Sequence, residues 1–207
     1  MQITPEINDL QAYLKSSEVI DFNRIGDNSI MILANQIESD SIDKIDYIKR
    51  AYEYVRDAIA HSADINHDTL TYRASEVLKE KHGICFAKSH LLAALLRCKG
   101  VPTGFCYQRL LFDDNVPGNL ILHGLNGVYI EEYNKWIRLD ARGNKEGVNA
   151  QFSLDKEQLA FPVRQELGEE DIWTIFAQPH ENIVSKYIHY KTRTQLWTDL
   201  PTTLEII

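Results

Sequence analysis

The 207-residue chain predicts an α+β fold, with helices first and antiparallel strands after them. Three observations carry that expectation. Residues 42–59 and 85–99 repeat apolar side chains at helical spacing. From Thr103 onward, aromatic and β-branched residues fall instead into runs without that period, bounded by turn-forming residues. Composition is that of an ordinary globular protein, 44% hydrophobic and 25% charged, with no internal repeat or linker, so residues 1–207 are expected to form a single domain.

The elements follow in order. Thr4 can cap a first helix, with Pro5 at its first position and Glu6 in its first turn. Ser41 is a second cap, opening a helix whose buried face holds Ile42, Ile45, Ile48, Ala51, Tyr52, Val55 and Ile59. Residues 61–68 are polar and read as a loop. A short helix over 74–81 should end near Gly83. The next helix, 85–99, is apolar around most of its circumference and therefore central; Gly100 suits its left-handed terminator, and Pro102 prevents continuation. Strands are predicted over 103–112, 120–130 and 135–141. The last two form a hairpin turning through Glu131-Glu132-Tyr133-Asn134. Beyond Arg142-Gly143-Asn144 the pattern predicts only a final helix over 179–195, with Pro201 after it.

Charge and cysteine content narrow the class. A net charge of −8 argues against a nucleic-acid or anionic-lipid partner. No apolar run is long enough to span a bilayer, and the N-terminus lacks the pattern of a secretory signal, which sets the expectation of a cytoplasmic chain. Three cysteines are too few for a disulfide scaffold and fit free thiols. No C-x-x-C or H-E-x-x-H spacing occurs, so neither metal nor cofactor is expected. Glu131-Glu132 and Glu169-Glu170-Asp171 read as solvated turns. Cys98 and Cys106 read as core residues.

The most informative residue is Cys85. Gly83-Ile84-Cys85 delivers a thiol to the start of the central helix, where the helix dipole favours negative charge, and the thiolate is the nucleophilic form of cysteine. Acyl transfer by cysteine also requires a base and a group that orients the base. The hairpin can supply both. Alternation puts Trp136, Arg138 and Asp140 on one face of the second strand, and His123, Leu125, Gly127 and Tyr129 share a face of the first. A turn centred between Glu132 and Tyr133 sets Asp140 opposite Leu125. His123 is then one diagonal step away, roughly 7–8 Å, within reach of two side chains. Asp140 could instead be a strand-end residue that starts the Arg142-Gly143-Asn144 turn.

Four segments occur in order: Gly83-Ile84-Cys85, Leu95-Leu96-Arg97-Cys98-Lys99-Gly100-Val101-Pro102, His123-Gly124-Leu125-Asn126-Gly127-Val128-Tyr129 and Trp136-Ile137-Arg138-Leu139-Asp140. In them the chain resembles the transglutaminase-like superfamily, over about residues 44–145. The resemblance implies a papain/transglutaminase-like core, flanked by an N-terminal helical segment, 1–43, and an appended segment, 146–207. It assigns Cys85 as nucleophile, His123 as general base and then acid, and Asp140 as the group orienting the imidazole. It implies a cofactor-free thiol enzyme acting through a thioester on an amide or peptide bond, with a peptide or protein carboxamide as substrate. Hydrolysis of protease or amidase type is the leading expectation; acyl transfer to an amine remains open. The alternative is a catalytically silent peptide-binding module of the same fold. The Cys85 N–H would be one oxyanion donor, and His61, Gln36 and Tyr107 are candidates for a second. Many members carry Trp two residues after the histidine, where this chain has Leu125, a change expected to reshape the cleft wall.

Overall fold

The computed structural model describes residues 3–204. Where a helix start was expected, Thr4–Pro5 forms a strand (β1), parallel to the last strand of the sheet, with Thr4 opposite Thr174 and Pro5 opposite Ile175. Proline cannot donate to a ladder, which suits this edge position. The next residue, Glu6, continues the pairing by donating its N–H to Ile175 O. A 3₁₀ turn, Leu10–Leu14, follows, capped by the Asp9 carboxylate. The first helix is Ser29–Ser39 (α1), burying Ile30, Ala34 and Ile37.

Lys44–Ala58 (α2) begins two residues later than its predicted stripe. Its cap is Asp43, whose carboxylate accepts from the Asp46 N–H at 2.7 Å, while the Ser41 hydroxyl donates back to Ile37 O. Ile42 is consequently 87% exposed. After Ala60–His61 (β2) comes Ala74–Glu80 (α3), where the Glu76 carboxylate reaches back to the N–H of Arg73. Lys81, not Gly83, terminates this helix, in the left-handed conformation at φ 59°. Gly83 lies instead in His82–Gly83 (β3), paired in parallel with β2.

Cys85–Arg97 (α4) is buried from Phe86 to Arg97, as its apolar circumference demands, and Gly100 closes the turn after it at φ 74°. Thr103–Leu111 (β4), Leu120–Ile130 (β5) and Lys135–Leu139 (β6) form an antiparallel run, with Leu111 opposite Leu120 and Ile130 opposite Lys135. Asn126 pairs with Leu139, which is the register that the turn position predicts, and Asp140 follows directly after the strand's end.

Glu170–Phe176 (β7) is a strand that composition concealed. It pairs antiparallel with β4, giving the sheet order β1-β7-β4-β5-β6. Its acidic start is not a solvated turn. Glu169 is buried and accepts from Arg164 and the Leu111 N–H, and Asp171 accepts from Gln108 and Arg138. The final helix divides into Glu181–His189 (α5) and Arg193–Trp197 (α6), because Thr192 caps the second by accepting from the Gln195 N–H. Among the described residues, no helix is long and apolar enough to cross a membrane.

One buried cluster joins α1 to α4 with the inner face of the sheet, through Ala34, Ile48, Tyr52, Leu91, Leu95, Phe105 and Val128. Where α4 meets β5 the approach is close: a Cβ on Gly124 would lie 2.4 Å from the Phe86 ring. Glycine at 124 therefore brings the first turn of the central helix against the histidine strand. A second cluster, of Tyr13, Cys106, Leu125, Ile175 and Ala177, packs separately.

Candidate active site

Cys85 is the first residue of α4. Ile84 before it is extended and makes no side-chain cap, and the first N–H groups of a helix have no acceptor within the helix. The backbone that leads into this position is held by β2: the Ala60 N–H donates to Lys81 O at 2.9 Å and the Ser62 N–H to Gly83 O at 3.2 Å. That pairing sets His61 opposite Gly83, two residues before the thiol.

His123 and Asp140 meet. Nε2 of the imidazole lies 2.8 Å from Oδ2 of the carboxylate, and both side chains are almost wholly buried, at 7% and 0% exposure. The carboxylate accepts two further bonds, from the Arg142 N–H at 3.1 Å and the Ala160 N–H at 3.0 Å. Burial opposes ionisation of Asp140, yet the His123 charge and these donors outweigh it and lower its pKa. Burial likewise opposes the imidazolium. The Asp140 carboxylate and the Cys85 sulfur overcome it, raising His123 to about 10. With Nε2 engaged by Asp140, Nδ1 is the nitrogen left for the sulfur. The Phe161 ring stands edge-on to the imidazole, 5.2 Å between centroids.

Cys85 and His123 open on one cavity of about 850 Å³, lined also by His61, Phe161, Trp197 and Leu200 among others. The appended segment thus supplies part of its wall. Pro201 O also accepts from the Leu122 N–H at 2.8 Å, on the β5 edge beside His123. In the interior, the Lys88 ammonium donates to the carbonyls of Arg56 (3.3 Å), Ile59 (2.5 Å) and Arg142 (2.9 Å). It ties the end of α2 to the loop after Asp140. Burial and the nearby Arg142 push its pKa down to about 7. Asp64 bridges the same regions by accepting from Arg142 and Lys145. Among the described residues, no group of three or more His, Cys, Asp or Glu side chains is arranged to hold a metal.

The remaining expectations resolve unevenly. Of the three candidate second donors, His61 lines the cavity. Gln36 is exposed on α1, and the Tyr107 hydroxyl accepts from the His180 N–H in the interior. Cys106 is fully buried and Cys98 packs against the core; burial raises their thiols to about 12 and about 11. Leu125 does not shape the cleft, because it packs into the second cluster. Sequence reasoning missed Ala160, Phe161, Lys88 and Asp64. Lys88, at helical position i+3 from the thiol in an apolar helix, was the one detectable signal, since a lysine there must find buried acceptors.

Comparison with known proteins places the chain by fold and by family. None of the curated proteins is similar enough in sequence to match the chain. Solved structures are similar at the level of fold. A candidate cysteine protease from Cytophaga hutchinsonii superposes with a TM-score of 0.51 at 18% identity, over 66% of this chain and 43% of that one. A TGase matches at 0.41 and 18% identity, over 68% and 37%. A candidate protease from Parabacteroides distasonis matches at 0.40 and 12% identity, over 65% and 28%. The chain thus spans less than half the length of each. The sequence model of the transglutaminase-like superfamily matches residues 32–141, more than half of the chain, and takes in Cys85, His123 and Asp140. The chain belongs to the transglutaminase-like superfamily.

Proposed function

We propose that the protein is a thiol acyl-transfer enzyme in which Cys85, His123 and Asp140 act together on an amide or peptide bond. The single observation that carries this reading is the buried 2.8 Å contact between His123 and Asp140, facing a cavity that Cys85 also lines. A carboxylate held anionic in the interior orients the imidazole and keeps it protonated, so that His123 pairs with the sulfur as imidazolium with thiolate. Cys85 Sγ then attacks the carbonyl carbon of a peptide or protein carboxamide. His123 gives its proton to the departing amine, leaving a thioester, and takes a proton from the water that resolves it. Hydrolysis is the favoured outcome because transfer to an amine requires that acceptor to outcompete water for the thioester. It also accords with the cysteine-protease name of the Cytophaga hutchinsonii neighbour.

Iodoacetamide provides the test. Cys85 should alkylate near neutral pH at least ten-fold faster than Cys98 or Cys106, and Cys85→Ala should abolish burst release of nitrophenolate from p-nitrophenyl acetate while the protein stays folded. Equal, slow labelling of all three thiols would identify a binding module instead.

A further inference from the structure

Thioester formation on Cys85 passes through a tetrahedral adduct whose oxygen carries the negative charge. A single backbone N–H from the helix start is half of what such sites ordinarily provide. The other wall of the cavity holds an unused polar group. His61 lines the same space as Cys85 and His123. Its position is fixed by backbone, since the β2–β3 pairing puts it opposite Gly83. Of its two ring nitrogens, Nδ1 is sealed in the interior without a hydrogen-bond partner.

That orphan atom decides the tautomer. A buried N–H with no acceptor is rarer in proteins than a buried bare acceptor, so the proton of the neutral ring belongs on Nε2, the nitrogen left towards the cavity. The ring is also neutral: burial, then the Arg142 cation, push its pKa down to about 3, with Lys88 and His123 adding in the same direction against Asp64. A neutral imidazole with one N–H on the side of the cavity that Cys85 lines is suited to donate a hydrogen bond without giving up its proton. None of the mechanism's proton transfers requires it.

We infer that His61 is a catalytic residue of this site, its Nε2–H donating the second hydrogen bond to the oxyanion alongside the Cys85 N–H. This inference rests on the acyl-transfer reading above. In the step concerned, the sulfur lone pair forms the S–C bond and the carbonyl π pair moves onto oxygen. Both N–H groups hydrogen-bond that oxygen. Collapse restores the C=O bond and expels the leaving group with its bonding pair. His61 has the same protonation before and after.

Two reagents separate this role from all others. Alkylation by iodoacetamide displaces iodide at an sp³ carbon and develops no oxyanion, whereas acylation by p-nitrophenyl acetate does. His61→Ala should slow the acylation burst about 100-fold and leave the rate of Cys85 alkylation within two-fold of wild type. His61→Gln, which puts an amide N–H near the same point, should recover at least ten-fold of that loss. Unchanged acylation in His61→Ala would overturn the inference. So would a parallel fall in acylation and alkylation in both variants, which would mean that His61 acts on the thiol or on the fold. Failure of the underlying reading is distinguishable, because wild type would then show no burst or Cys85→Ala would retain it.

Discussion

Asp140 and His123 form a pair in which each holds the other's charge against the cost of burial. The energetic sign follows from the imidazole. Its folded-state pKa lies above the usual 6.5, at about 10. The folded chain therefore holds a proton that the unfolded chain releases, and the resulting stability is fully present below pH 6.5 and lost as pH rises through about 10. The stability difference between wild type and His123→Gln, read from urea midpoints, should accordingly narrow steadily from pH 6 to pH 10. A difference that stays flat across this range would mean that the imidazole is neutral when folded. At this scale the sequence was legible where chemistry is local. A thiol at a helix start and two strand residues one diagonal step apart can be read from spacing. The Ala160 N–H and the Phe161 ring could not, because their partners lie 20 and 38 positions away along the chain.

Among the elements, the contact between α4 and β5 governs whether sulfur and imidazole meet. It depends on the missing side chain at position 124. Gly124→Ala would set a methyl 2.4 Å from the Phe86 ring and 3.4 Å from Phe86 Cα, and helix and strand must part. The expected cost is about 1–3 kcal/mol, together with slower iodoacetamide labelling of Cys85. Unaltered labelling in a destabilised protein would show that the sulfur tolerates a displaced helix. The β5–β6 hairpin was readable because its turn residues fix the register of everything beyond them. β1 and β7 were not. In local terms Thr4-Pro5 marks a helix start and the acids at β7 a turn, and only the arrival of Arg138, Arg164 and Gln108 from elsewhere lets those acids enter a strand.

For the molecule as a whole, Arg97 is the joint. Its buried guanidinium donates to Thr103 O at 2.8 Å, Lys15 O at 2.7 Å and Ala177 O at 2.6 Å, binding the N-terminal segment, the start of β4 and the end of β7 to the central helix. Arg97→Met keeps most of the bulk and strands three carbonyls in the interior. A loss of about 3–5 kcal/mol is expected, measured as a lowered urea midpoint, and a change below 1 kcal/mol would show the segments to be held by packing alone. The helix and its terminal Gly-Val-Pro turn were evident from sequence. The threefold grip of Arg97 was not, since its acceptors are backbone oxygens that any residue could provide.

The amide of Ala160 lies outside the matched stretch 32–141, yet it donates to the same carboxylate oxygen that the imidazole contacts. The smallest transplantable unit is therefore larger than the domain boundary implies. A graft ending at residue 141 would carry the sulfur, ring and acid into a new host while leaving the acid's anchor behind.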